Sequence, residues 1–170
     1  MKYPPELASK PKYLLFVNSF FGLETPKDLP PLAHAVGPIL ADAYPPLGMD
    51  EPCTTVLSIH KRIVYVALGS HIVLKTDDML KVVEGLRSSM RCSEIDSVLW
   101  AVGERGRKDF VRSSVLQTEE ARKHLTLGDL IDGQDPGWLF LPFVPQRAVL
   151  DHENVKVYIT HGGGSSANEG

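Results

Sequence analysis

The chain is short of cysteine, of excess charge and of long apolar runs, and each shortage narrows what it can be. Two cysteines in 170 residues, Cys53 and Cys92, cannot build a disulfide framework, and their spacing suits no metal site. The formal net charge is −3, so there is no basic footprint for nucleic acid. No apolar stretch approaches the ~20 residues that span a bilayer. The opening "MKYPPELASKPKY" has no apolar core of the signal-peptide kind. No Gly-Lys-Ser/Thr occurs, which removes the Walker phosphate loop. His152, Glu153 and His161 follow no common ligand spacing, so no metal is expected; separately, no resident cofactor is expected. The expectation is a cytoplasmic chain, with membrane association through a segment outside these residues left open.

What is present is an ordinary globular balance, with 43% hydrophobic and 23% charged residues. "YLLFVNS" (Tyr13 to Ser19) reads as a buried strand. Between Glu24 and Pro52 seven prolines fall in a stretch without periodicity, and proline's fixed φ and missing N–H favour a connector there. After Pro52 the pattern changes. "RIVYVALGS" (Arg62 to Ser70) is nearly continuously apolar, as a strand buried on both faces of a parallel sheet would be. Thr76 can cap a helix whose apolar face is Met79, Val82, Val83, Leu86 and Met90. "DSVLWAV" (Asp96 to Val102), "WLFLPF" (Trp138 to Phe143) and "KVYIT" (Lys156 to Thr160) read as further strands. Short helices are expected over Thr118 to Lys123 and from Pro145 to about Leu150. Strands alternating with helices imply an α/β fold, a Rossmann-like doubly wound parallel sheet.

In such a sheet, ligands bind beyond the carboxyl ends of the strands. That gathers Gly69-Ser70, Phe143 to Gln146 and "HGGGSSANE" (His161 to Glu169) on one rim. Gly162, Gly163 and Gly164 let backbone N–H groups approach a ligand, and a helix opening near Ser165 would point its positive end the same way, which suits a phosphate. Ser165, Ser166 and His161 add donors. Glu169, one turn on, would repel a phosphate but could accept from ribose hydroxyls. Phosphate plus ribose means a nucleotide. Taken singly the features have plain alternatives: a tight turn for the glycines, helix caps for the serines, an exposed first-turn acid for Glu169. Gly162, Gly164 and Ala167 also fit the dinucleotide pattern G-x-G-x-x-A, which keeps a non-catalytic dinucleotide-binding module as the alternative.

"FVPQRAVLDHENVKVYITHGGGSSANE" resembles the nucleotide-sugar signature of the UDP-glycosyltransferases. Plant members read Trp-x-Pro-Gln, then His-Cys-Gly-Trp-Asn-Ser, then a glutamate three positions after the serine. Phe143 falls at the Trp, Gln146 at the Gln, His161 at the His eighteen positions after Phe143, Ser166 at the Ser and Glu169 at the Glu. "IVYVALGS" resembles the family's "VVYVSFGS" strand, "LFVNSFFGLETP" the segment closing its first domain, and "AVGPIL" the Gly-Pro that follows. The departures, Phe143 for Trp and Gly164-Ser165 for Trp-Asn, are closer to fungal and microbial members, including sterol-type glucosyltransferases, than to plant ones.

The resemblance implies a GT-B fold, in which two Rossmann-like domains face each other across a cleft. Residues 1–23 would end the N-terminal acceptor domain, 24–60 would be the proline-rich connector, and 61–170 would be a partial, incomplete C-terminal nucleotide-sugar-binding domain. It implies that Phe143 stacks on the uracil and that the backbone of Val144 pairs with its edge. Gln146 and Glu169 would lie near the ribose, and Ser70, His161, Gly163, Ser165 and Ser166 would line the diphosphate. It further implies an inverting hexose transfer from a UDP-sugar, the donor substrate, to a hydroxyl of a small, lipophilic acceptor. The family's base histidine and sugar-holding Asp/Glu-Gln pair match no position here. No catalytic residue is therefore assigned, and the chain alone is expected to be inactive without the remaining halves of its fold.

Overall fold

The computed structural model describes residues 13–19, 25, 28–48, 52–69, 72–108, 110–116 and 125–170. It forms two compact units, Met1–Asp42 and Ala43–Gly170. In the first, β1 (Leu15–Val17) pairs in parallel with β2 (Ala33–Ala35). The Asn18 side chain fastens the loop that follows β2, its Oδ1 accepting the Ile39 N–H at 2.6 Å. The expected buried strand at Tyr13 to Ser19 is present but not buried: Leu14, Leu15 and Phe16 are all exposed.

The division at Asp42 and Ala43 falls inside the 24–60 stretch read as a connector. That stretch also holds β2 and a helix, α1 (Pro52–Ile59). The reason is local. Pro52 sits in the first turn, where its missing N–H would have had no partner anyway. One turn apart, Cys53 and Leu57 are both 1% exposed and face the core.

The second unit continues through β3 (Ile63–Ala67), α2 (Thr76–Arg91), β4 (Ser97–Ala101), α3 (Glu104–Lys108), α4 (Leu127–Ile131), β5 (Trp138–Leu141), α5 (Gln146–Leu150), β6 (Val155–Thr160) and α6 (Gly164–Glu169). The strand order is β5-β4-β3-β6 and every pairing is parallel. All five residues of β3 are buried, as the continuous apolar run requires. Alternation along β3 then builds two cores. Val64 and Val66 pack with Val98, Trp100 and the Met79, Val83 and Leu86 face of α2. Ile63, Tyr65 and Ala67 pack on the other face with Cys53 and Leu57 of α1, Leu99, Val144 and Val149. Helices therefore cover both faces, the doubly wound arrangement expected.

Two local readings change. Lys75, not Thr76, is the N-cap of α2, without a side-chain bond; the Thr76 hydroxyl instead accepts the Val111 N–H at 3.1 Å. The strand at Trp138 stops at Leu141 because Pro142 has no N–H to donate to a ladder. The helix expected over Thr118 to Lys123 lies outside the described residues. A capping box that sequence reading did not single out opens α4, where Thr126 and Asp129 exchange side-chain and backbone bonds.

The entries to β3 and β4 are tied by one carboxylate. Asp96 accepts the N–H groups of Lys61 at 3.1 Å and Arg62 at 2.9 Å. Burial pushes the Asp96 carboxyl up, but those N–H donors and the charges of His60 and Arg62 outweigh it and hold it below its ordinary value. A depressed carboxylate stabilises the fold fully above the unfolded pKa, near ~4, and stops doing so as pH falls through the folded value. Asp96→Ala is thus expected to lower stability at pH 7 by about 1–2 kcal/mol, allowing for partial exposure of the pair. It should also flatten the acid limb below pH ~4. Urea midpoints for both proteins across that range check this; parallel curves would refute the clamp.

Candidate functional site

Because β3 to β6 are parallel, their carboxyl ends lie on one edge, and the loops leaving β3, β5 and β6 meet there. The first contact is between β3 and β6. Gly69 has φ +75° and Gly162 φ +71°, left-handed values that favour glycine. The His161 imidazole lies so close to Gly69 that a methyl group there would stand 2.6 Å from its Cε1. A methyl at Gly163 would stand 2.7 Å from the same atom. Two glycines thus make a slot for the His161 ring, which itself remains exposed. Gly163 then serves as the N-cap of α6, with no side-chain cap bond, leaving the first amides of that helix without a capping side chain.

The second contact joins α5 to α6. Gln146 Nε2 donates to Glu169 Oε2 at 2.6 Å, and Tyr65 on β3 donates its hydroxyl to Gln146 Oε1 at 3.3 Å. Tyr65 is 1% exposed and stacks on Tyr158 at 5.4 Å between centroids. Burial, then Tyr158 and Glu169, push its phenol well above the ordinary value, so the hydroxyl stays protonated and donates. Sequence reasoning missed Tyr65. It counts as one more apolar position in a buried strand, and its only signal is a polar tip among aliphatic neighbours.

The nine residues singled out in the sequence are placed as follows. His161 and Gly163 are in contact, and Gln146 and Glu169 are bonded. Ser165 is exposed and Ser166 half-buried in the first turn of α6. Val144 is 4% exposed with its side chain in the core, so only its main chain is left for a ligand. Phe143 is 79% exposed, an aromatic face open to solvent at the end of β5. Ser70 lies outside the described residues. A cavity of about 350 Å³ opens beside the ends of β3 and β4, lined by Leu68, Gly69, Trp100, Val102, Glu104 and others. Among the described residues no group of three His, Cys, Asp or Glu could hold a metal ion, and no helix is long and apolar enough to cross a membrane.

The family model described as "UDP-glucoronosyl and UDP-glucosyl transferase" matches residues 4–170. The chain belongs to this family. It is 42% identical over 161 residues to the UDP-glycosyltransferase FPY2 of Fusarium mangiferae, covering 95% of this chain and 29% of that protein. It is 40% identical over 162 residues to a UDP-glycosyltransferase of Talaromyces amestolkiae, covering 94% of this chain and 30% of the relative. The chain therefore spans about three-tenths of the length of these relatives. Among solved structures it is similar to Phytolacca americana UGT2 complexed with UDP-2fluoro-glucose and pterostilbene. That match has a TM-score of 0.58 and 25% identity, over 91% of this chain and 32% of the other. The α/β unit is thus a Rossmann-like part of a GT-B glycosyltransferase fold.

The histidine slot makes a prediction that separates packing from backbone strain. Gly163→Ala, at an ordinary φ of −62°, should displace the His161 ring with little loss of stability. Gly69→Ala should displace it too and, being left-handed, cost about 1–2 kcal/mol more. Imidazole NMR resonances of His161 alongside chemical denaturation test both. An unmoved His161 signal in Gly163→Ala would contradict the slot.

Proposed function

We propose that this chain forms the nucleotide-binding part of a UDP-sugar-dependent hexosyltransferase. The single observation carrying this reading is the Gln146–Glu169 bond at 2.6 Å on the rim that also holds the His161 slot. A carboxylate and an amide fixed side by side suit the adjacent hydroxyls of a ribose. The His161 to Ser166 loop, with uncapped amides and hydroxyls, suits the diphosphate. The exposed ring of Phe143 suits a base laid across it, beside the Val144 backbone. Ser70 is carried over from the family pattern as a further diphosphate donor.

In the reaction, an acceptor hydroxyl gives its proton to a base and its oxygen bonds to the anomeric carbon. The bond from that carbon to the diphosphate oxygen breaks with inversion, and UDP departs with the electron pair. This chain's share is to hold UDP and to offset the charge growing on the leaving diphosphate with aligned donors. No residue here is assigned as the base: His60 lies 3.9 Å from Asp96 at the opposite ends of the strands, and His34 is within β2. The donor is read as a UDP-hexose and the acceptor as a small lipophilic alcohol or phenol, with the base and the sugar-holding residues supplied by the rest of a GT-B fold. The setting proposed is the cytoplasm.

Titration of the chain with UDP and with NAD, followed by ligand-observed NMR or calorimetry, tests the reading. UDP should bind and NAD should not displace it. Glu169→Ala should weaken UDP by about 1.5–3 kcal/mol, roughly tenfold to hundredfold. Phe143→Ala should lose roughly 1–3 kcal/mol by analogy with base stacking, while Phe143→Trp should bind at least as well as the native residue. Tight NAD binding without UDP binding would favour the dinucleotide alternative and sink this one.

A further inference from the structure

We infer that Tyr65 is a positioning residue for ribose recognition: its buried hydroxyl fixes the orientation of the Gln146 amide, and through it Glu169, so that the pair meets a vicinal diol with one N–H donor and one carboxylate oxygen. This inference rests on the nucleotide reading of the rim above.

Glu169 Oε2, as a carboxylate oxygen, can only accept, so the Gln146 atom 2.6 Å away must be the nitrogen. The amide oxygen is thereby turned inward, where it meets the Tyr65 hydroxyl at 3.3 Å. Rotating the amide by half a turn would set two oxygens face to face on the Glu169 side, with no donor between them. It would also aim an N–H group at a hydroxyl that can accept it. Glutamine alone could tolerate that flip whenever Glu169 swings away, because Tyr65 can act as donor or acceptor. Glu169 therefore selects which end of the amide faces outward, and Tyr65, held still, anchors the other end in place. Tyr65 lies in the centre of the sheet, 1% exposed, stacked on Tyr158 with rings 9° from parallel. A donor fixed behind Oε1 leaves one N–H on Nε2 and the second oxygen of Glu169 for the ligand. Those two match neighbouring hydroxyls, one accepting and one donating.

The position is unusual for a core strand. Ile63 and Ala67 share the face of Tyr65 on β3, and both are purely apolar. Phenylalanine would fill the same volume and keep the stack on Tyr158, so packing alone does not ask for the hydroxyl. Among the described residues the hydroxyl bonds an amide on the ligand rim, 81 residues away in sequence.

The test compares UDP with 2′,3′-dideoxy-UDP on the native chain and on Tyr65→Phe, by ligand-observed NMR, with thermal melts as a check on folding. On the native chain UDP should bind more tightly than the dideoxy compound, and the ratio of the two affinities measures hydroxyl recognition. Tyr65→Phe should reduce that ratio roughly three- to tenfold, the size of one lost hydrogen bond, while affinity for the dideoxy compound stays put. An unchanged ratio in Tyr65→Phe overturns the inference and leaves the nucleotide reading intact. Equal loss for both ligands means that Tyr65 supports the fold only, and also overturns it. If the native chain binds UDP and the dideoxy compound alike, the ribose reading of Gln146 and Glu169 fails, and this inference with it. Should Tyr65→Phe melt too early to titrate, the same comparison on Tyr65→4-fluorophenylalanine, which also lacks the hydroxyl, takes its place: a reduced ratio supports the inference and an unchanged ratio overturns it.

Discussion

Everything in the larger unit depends on β3 being buried on both faces. Five consecutive apolar or aromatic residues cannot reach solvent, so the strand must have a neighbour on each edge and a layer on each side. β4 and β6 supply the edges; α1 and α2 stand among the elements that supply the layers. Parallel pairing then fixes the rest. With every strand running the same way, loops separated by dozens of residues must open on one rim. The alternation along β3 also decides which residue can speak to that rim. Val64 and Val66 point into the core beneath α2, whereas Tyr65 points into the core from which α5 rises. A slip of one residue in β3 would exchange the faces and remove the Tyr65 contact with Gln146 altogether.

The fold was legible where physics is local or strongly periodic. The apolar runs that hold β3 and β4 each demand a strand buried on both faces, and the Met79, Val83, Leu86 spacing a helix with one buried face, and they have it. Boundaries were less legible, because they hang on single partners. Thr76 looks like a cap by residue type, yet its hydroxyl answers a loop N–H 35 residues away. The proline-rich stretch was opaque for a related reason: proline ends one element and starts another equally well, and only the burial of Cys53 and Leu57 tells that Pro52 starts one.

Within the candidate site, the residues read from the sequence were those whose chemistry shows in their type: a histidine, glycines, serines, a glutamine and a glutamate at fixed intervals. Their association is a product of topology, and the parallel sheet carries it. What stayed hidden was the support. That Gly69 closes the other side of a slot for the His161 imidazole follows from a tertiary approach that no spacing encodes. That Tyr65 belongs to the rim follows from a hydroxyl at the end of a side chain otherwise indistinguishable from core.

The site is built to uneven rigidity, and that shapes how it would bind. The His161 ring sits against two glycines, and Gln146 is bonded both to Glu169 and to a stacked tyrosine. These groups have little rotamer freedom left to lose. Phe143, at 79% exposure, keeps its freedom, and a base laid on it must immobilise the ring as well as itself. Ordering such a side chain takes back about 0.5–1.5 kcal/mol of whatever the contact gains. On the nucleotide reading proposed above, the ribose and diphosphate groups would be the anchoring end of the site and the base platform the adaptive end. Discrimination between nucleotides that differ only in the base would then be shallow at Phe143 itself. It would fall instead to the backbone of Val144, whose side chain is locked in the core and whose main chain cannot adjust without disturbing Val149 and Leu99 beneath it.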